Sequence, residues 1–198
     1  ADGFAIRADL SSSDEIDQLV KDLKEQAGRV DVLVNNAGAN VNAPMLGMKL
    51  DDYDAVAAMN RATWYLTKLI LRRFMLRKGS GRIINISSGA AHHVIAAASA
   101  YCAAKAGLNQ FTRVFAAEEK ALTIIAVRPG VVDTQMQKLL RELGPEKMPP
   151  EQAEYYLNLK ATGRLEPAAV PARSVAWMVL HAPREWSGAF MSYDEPQI

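Results

Sequence analysis

Cysteine is nearly missing from this chain. Cys102 is the single one in 198 residues, so no internal disulfide can form, and that content fits a reducing compartment. Long hydrophobic runs are missing too. The densest, Trp64 to Leu76, is broken by Lys68, Arg72 and Arg73, and it falls short of what a bilayer requires. Charge of one sign is lacking: 23 Lys and Arg stand against 22 Asp and Glu, a formal net charge of +1. No basic stripe marks a nucleic-acid binder. An apolar leader is not seen either, because Asp2, Arg7 and Asp9 fall within the first ten residues. These absences lead us to expect a soluble, cytoplasmic protein with no nucleic-acid, membrane or metal partner. The chain opens on Ala1 rather than Met and runs almost at once into apolar residues, as a processed or truncated chain would.

What is present suits one domain spanning residues 1–198. Hydrophobic residues make up 49% of the chain, enough for a sizeable core. Strand and helix patterns alternate. Phe4 to Leu10 reads as a short strand. Ser12 then starts a helix with Glu15 three residues on, a capping box, and Gly28 ends it. Val30 to Val34 reads as a strand buried on both faces. Leu50 to Arg77 is a long helical stretch with a break near Asp52. Gly81 to Ser87 is a buried strand, Ser99 to Ala121 a helix, and Leu122 to Val127 a strand stopped by Pro129 and Gly130. Thr134 to Leu165 reads as an insertion of one or two short helices; Pro171 to His181 is a helix and Ala189 to Tyr193 a last strand. The alternation predicts an α/β fold, a doubly wound parallel sheet of Rossmann type. Ligands on such sheets lie at the carboxyl ends of the strands. The unusual polar residues cluster there: Asp9, Asn35 and Asn36, Ser87 and Ser88, and Arg128 to Gly130.

Tyr101 and Lys105 lie four apart on one helix and so share a face. A free tyrosine has a pKa near ~10, and bringing it to ~7 takes roughly 4 kcal/mol of differential interaction. A nearby ammonium can provide part of that by favouring the phenolate. Such a tyrosine can give a proton to a nascent alkoxide and take it back in reverse. By itself the pair is also what a packed ring beside a solvated amine looks like. Ser88 precedes Tyr101 by thirteen residues, at the end of a strand, where its hydroxyl could orient a substrate carbonyl. Asn60 lies inside the long helix, an unfavourable place for an amide that competes for the backbone. It reads either as a structural amide or as a bend holding a water beside Lys105.

Together these residues resemble the short-chain dehydrogenase/reductase family. Asn35-Asn36-Ala37-Gly38 follows a strand; Gly81 to Ser88 reads GRIINISS; Tyr101 to Lys105 is a YxxxK motif; Arg128 to Thr134 reads RPGVVDT. The order and intervals match, and the likeness runs from about Phe4 to Tyr193. The resemblance implies a catalytic set of Asn60, Ser88, Tyr101 and Lys105. Tyr101 would be the general acid/base. Lys105 would lower its pKa and bind the nicotinamide ribose, Ser88 would orient the carbonyl, and Asn60 would hold a relay water. It further implies that Asp9 and Leu10 contact the adenine, that Asn36, Ala37 and Gly38 line the cofactor near the adenosine ribose, and that Pro129 and Gly130 let the backbone approach the nicotinamide. Val132 and Thr134 would hold its carboxamide. The implied cofactor is NADP(H) rather than NAD(H), and the implied partners are a small-molecule carbonyl substrate and further copies of the chain in a homodimer or homotetramer. Leu66, Leu69, Ile70 and Phe74 on one helix and Leu108, Phe111, Val114 and Phe115 on another give each more than one apolar face.

The tail looks like the sepiapterin-reductase branch and its fungal benzil-reductase-like relatives. Where that branch has a pterin-anchoring aspartate, Ser192 stands here, with Asp194 two residues on. An apolar ketone or diketone is therefore expected, in a pocket lined by Val94, Ile95, Met136 and Met148, with His92 and His93 on a nearby loop. Family members also begin with a strand, a glycine-rich turn and a helix whose backbone amides hold the pyrophosphate. No such motif precedes Phe4, so the expected sheet lacks its first strand-helix-strand unit, and without it the Val30 strand would present a long apolar edge. Two other readings stay open: a non-catalytic truncated member, or a dinucleotide-sensing regulator.

Overall fold

The computed structural model describes residues 3–198. Four parallel strands form one sheet in the order β1-β2-β3-β4: β1 (Val32–Asn35), β2 (Arg82–Ile86), β3 (Thr123–Arg128) and β4 (Phe190–Ser192). Helices α1 (Ser13–Ala27), α2 (Leu50–Ile70), α3 (Ser99–Glu118), α4 (Gln135–Lys147), α5 (Pro150–Ala161) and α6 (Ala169–His181) connect them. In the sheet Ile83 stands beside Ile124 and Ile84 beside Ile125. Because successive strand residues point to opposite faces, the two pairs serve two cores. Ile83 and Ile124 pack with Ile16, Val20, Leu66 and Ile70 from α1 and α2. Ile84 and Ile125 pack with Met178 of α6 and Met191 of β4. All four isoleucines are fully buried, each worth about 1.5–3 kcal/mol relative to exposure. Continuous apolar runs are what a sheet covered on both faces demands.

The start of α1 follows from its sequence. Ser12 caps it by accepting the Glu15 N–H, and Gly28 ends it at φ 69. The reciprocal half of the capping box goes elsewhere, since the Glu15 carboxylate accepts from the Asp9 N–H at 2.7 Å. The expected insertion becomes the helical hairpin α4–α5.

Three expectations need correction. Residues 3–9 carry no regular structure, and Phe4 is exposed. A strand needs a ladder partner for its backbone groups, and no described strand lies beside this segment. Val30 to Val34 is not buried on both faces: among the described residues β1 is an edge strand, paired only with β2, and Val34 is 40% exposed. The break near Asp52 is absent. Asp51 and Asp52 occupy the first turn of α2, where the helix dipole favours carboxylates. The irregularity comes at the other end, as a π turn over Leu71–Met75 and a tight turn over Leu76–Lys78.

Candidate active site

A buried amide ladder lies beneath the carboxyl ends of β1 and β2. Asn35 Nδ2 donates to Thr67 Oγ1 at 3.0 Å and to Asn85 Oδ1 at 2.8 Å. Asn85 Nδ2 donates to Thr112 Oγ1 at 2.9 Å, and that hydroxyl donates to the Leu108 carbonyl at 2.8 Å. All four side chains are buried. The chain of bonds ties β1, β2, α2 and α3 together, and a fully paired network of this kind specifies one arrangement of its members. Thr67, Asn85 and Thr112 were not singled out from sequence. Their signal was a polar residue at a position whose neighbours are all core, as Asn85 stands between Ile84 and Ile86.

Ser88, Tyr101 and Lys105 converge just above this ladder. Ser88 leaves β2 in extended backbone and accepts the Ala90 N–H at 3.1 Å, and its hydroxyl acts on that of Tyr101 in the sense that favours the phenolate. Lys105 Nζ stands 5.6 Å from the Tyr101 ring centroid and donates to the Ile86 carbonyl at 2.7 Å. Burial lowers the Lys105 pKa to about 8. For Tyr101 the direction differs from expectation: burial raises its pKa, with the Ser88 hydrogen bond pulling the other way. Desolvation penalises a phenolate, and the ammonium is turned toward Ile86 rather than toward the phenol oxygen. Asn60 sits one helix away, in an uninterrupted α2. Its Nδ2 donates to the Ala104 carbonyl at 2.7 Å, so the side chain joins α2 to α3 beside Lys105.

The residues expected around a dinucleotide fall into two groups. Leu10, Asn36 and Ala37 line a cleft of about 70 Å³ together with Met59, Thr63 and Leu66 of α2. The α2 residues were missed; their helical spacing is the signal that could have found them. Asp9 Oδ1 is held by the Ser11 N–H and O–H, both at 2.8 Å, so this carboxylate also closes the turn ahead of α1. Gly38 leaves room beside the ammonium: a Cβ there would lie 3.8 Å from Lys105 Nζ. Residues 129–134 form the second group. Val132 bridges Glu166 in parallel fashion, and the Asp133 N–H donates to the Glu166 carbonyl at 2.9 Å. Thr134 caps α4 by accepting the Gln137 N–H at 3.3 Å. Asp133 accepts from Lys160 at 2.6 Å, which holds its carboxyl below the usual range and ties α5 to the turn. Gly130 takes φ +75, and a Cβ there would meet Tyr193 at 2.9 Å. Gly130→Ala is therefore expected to lower stability by roughly 1–3 kcal/mol, read as a fall in Tm, whereas Gly3→Ala, in open space, should leave it unchanged.

The two ends of a dinucleotide would call on these two groups, Leu10, Asn36 and Ala37 on one side and residues 129–134 on the other. Lys105 has three N–H donors and, among the described residues, one hydrogen-bond partner, Ile86. Asn40 Oδ1, two residues past Gly38, is buried without a partner among the described residues. For the diphosphate between the ends, the described residues offer no glycine-rich turn.

The substrate side also departs from expectation. Val94 is 97% exposed and Met148 is buried, so neither is a simple pocket wall. β4 ends at Ser192, and Asp194 is not on the strand; it accepts the Ser192 hydroxyl. His92 packs on Phe190 at 4.9 Å and meets Asn109 Nδ2 at 3.4 Å. No helix among the described residues is long and apolar enough to cross a membrane.

The chain matches a family model described as short chain dehydrogenase over residues 1–143. A 3-oxoacyl-[acyl-carrier-protein] reductase of Synechocystis is 39% identical over 70% of this chain, which spans 57% of that protein. A benzil reductase ((S)-benzoin forming) of Saccharomyces cerevisiae is 31% identical over the whole chain and 80% of its own length. The crystal structure of the Saccharomyces cerevisiae short chain dehydrogenase/reductase YIR035C superposes with a TM-score of 0.92 at 31% identity, over 98% of this chain and 78% of the other.

Proposed function

Since the chain belongs to the short-chain dehydrogenase family, we propose that it works as a nicotinamide-dependent oxidoreductase that reduces a ketone or diketone, with NADPH preferred over NADH. The observation that carries this reading is the convergence of Ser88, Tyr101 and the half-buried Lys105 at the end of β2. The nicotinamide, when bound, supplies the hydride. The chain's own residues supply the rest. Ser88 accepts from the Ala90 N–H, and its own O–H, directed to the Tyr101 oxygen when no substrate is present, would turn to a substrate carbonyl and polarise it. As negative charge builds on that oxygen, Tyr101 gives it the phenolic proton. The raised Tyr101 pKa suits that direction, because the phenol stays protonated at neutral pH. Lys105 would hold the cofactor's ribose while its ammonium stays anchored on the Ile86 carbonyl, and Asn60 fixes α3 against α2 beside it.

The test is loss of reduced-nicotinamide absorbance with a panel of ketones and diketones, comparing NADPH with NADH. It should use the protein as its source makes it, with any residues before Ala1. No carbonyl-dependent oxidation across the panel would overturn the reading. The pH profile is a sharper check. Lys105 is an ammonium below about 8 and loses its proton above it, so kcat/KM for reduction should hold at lower pH and fall as pH rises through that value. Alcohol oxidation needs the phenolate and should instead grow with pH. A reduction rate that climbs steadily above pH ~8 would contradict these roles.

A homodimer or homotetramer is also part of the proposal. Leu66, Ile70 and Leu108 are buried in the monomer, while Trp64 of α2 and Val114 of α3 stay 44% and 43% exposed. Sedimentation should show an oligomer that Trp64→Glu weakens; a concentration-independent monomer would remove this part.

A further inference from the structure

One side chain fastens the segment that carries Ser88 to α3 at both of its ends. Asn109 and Ser87 are buried, and the Ser87 hydroxyl donates to Asn109 Oδ1 at 2.6 Å. With Oδ1 taken by that hydroxyl, Asn109 Nδ2 meets His92 Nε2 at 3.4 Å. Asn109 therefore uses an acceptor and a donor at once, which neither a carboxylate nor an apolar side chain of its size can do. Between the two contacts lies a closed turn. Ser88 caps it by accepting the Ala90 N–H at 3.1 Å, and the His92 N–H donates to the Gly89 carbonyl at 3.0 Å. The His92 ring rests on Phe190 of β4, with centroids 4.9 Å apart, so the far end of the turn is also seated on the sheet.

On α3, Lys105 and Tyr101 precede Asn109 by four and eight residues and lie on the same side of the helix. Thr112, the next turn in the other direction, accepts from the Asn85 amide at 2.9 Å. Asn85 and Ser87, two residues apart, face the same way along β2 and just past its end. Strand and helix thus meet in matched contacts: Asn85 with Thr112, the Ile86 carbonyl with Lys105 at 2.7 Å, and Ser87 with Asn109. The last of these is made by the residue adjoining Ser88.

We propose that Asn109 is a positioning residue for carbonyl reduction: by holding Ser87 and His92 it sets where the Ser88 hydroxyl stands relative to Tyr101 and Lys105. The proposal rests on the reductase reading above and adds the side chain that registers its parts. Ser88 and Tyr101 must reach one carbonyl oxygen together, and a misplacement of ~1 Å at such a site can cost ~100-fold. A single amide bonded on both flanks of Ser88 stops the turn from sliding along α3. Asn109 need not touch substrate or dinucleotide for this, so its loss should appear in turnover rather than in binding.

The experiment uses the protein as its source makes it and the ketone of the panel that the parent reduces fastest. Asn109→Leu, close in size and unable to hydrogen-bond, should lower kcat by about tenfold or more and leave the dinucleotide Kd within about twofold. Ser87→Ala breaks the same bond from its other end with less disturbance of the core, so it keeps the test open if Asn109→Leu does not fold. It should lower kcat in the same sense. The two together should be little worse than Asn109→Leu alone, because they remove one bond. In a Ser88→Ala background Asn109→Leu should change kcat by less than about twofold, since no hydroxyl is left to place. An undiminished kcat in folded Ser87→Ala, or the full loss repeated in the Ser88→Ala background, would overturn the proposal. The ring nitrogens of His92 separate its failure from that of the reductase reading. Their chemical shifts should move in Asn109→Leu whether or not any ketone is reduced, and unmoved shifts would overturn the hold of Asn109 on the turn. A wild-type protein that reduces nothing in the panel would sink the reductase reading, and the catalytic part of the Asn109 proposal with it.

Discussion

Tyr101→Phe should bind reduced dinucleotide as the parent does and lose at least ~100-fold in turnover, the scale on which a general acid contributes. The substitution removes one hydroxyl from a half-buried ring. The fold has little reason to respond, because Ser88 keeps the Ala90 N–H as its partner and the ring keeps its place beside Lys105. Lys105 still has the Ile86 carbonyl, so the ribose contacts proposed for it survive. What disappears is the proton delivered to the substrate oxygen. The expected signature is an unchanged dinucleotide Kd by fluorescence titration, an unchanged Tm, and a single-turnover rate lowered by at least ~100-fold. The loss should not be recovered by raising substrate concentration, since the interaction is made in the transition state. Wild-type turnover in Tyr101→Phe would remove Tyr101 from its role. An equal loss of dinucleotide binding would mean that the phenol acts as a ligand rather than an acid.

The parts of this molecule that could be read from sequence are those governed by near neighbours. Ser12 and Gly28 bound α1 through contacts within one helical turn. The isoleucine runs of β2 and β3 announce strands covered on both faces, and Ile83, Ile84, Ile124 and Ile125 at their centres are fully buried. Tyr101 and Lys105 share a face because four residues make about one turn of any helix. The parts that escaped depend on what lies across space. Phe4 to Leu10 has a strand's composition, but strand formation is settled by a partner, and none is described beside it. Val30 to Val34 has the same character as β2, yet its burial depends on a neighbour on its far side. The Asn35–Asn85–Thr112 ladder joins residues 50 and 27 positions apart, and Gln152 reaches Ala96 across 56; no local pattern encodes either. The direction of the Tyr101 pKa escapes the sequence for a related reason. The spacing places an ammonium near the ring, but which carbonyl that ammonium turns to, and how much water remains, are properties of the assembled site.

Residues 1–198, expressed as they stand, should bind NADPH at best very weakly and tend to aggregate. On the reading proposed above, Leu10, Asn36 and Ala37 in the cleft beside α2 would take one end of the cofactor, and Lys105 with residues 129–134 the other. The diphosphate is the most highly charged part of the molecule, and in a doubly wound fold its main partners are the amides of a glycine-rich turn opening a helix. That turn is not among these residues. The sheet meets a related difficulty. β1 pairs on one side only, and Val34 is 40% exposed on it. A β-branched, apolar edge with unpaired backbone groups is a template for another chain. A strand-turn-helix-strand unit carrying the glycine-rich turn, fused ahead of Ala1, would cover that edge and supply the diphosphate contacts at once. Both defects should therefore be relieved together by one addition. Calorimetric titration with NADPH alongside light scattering is the measurement, on residues 1–198 and on the extended protein. Micromolar binding by a monodisperse preparation of residues 1–198 would show that Lys105, Asn36 and their neighbours hold the dinucleotide without the turn. Solubility restored without binding would instead separate the two defects, leaving the edge of β1 as the cause of aggregation and placing the missing affinity in contacts the added unit does not make.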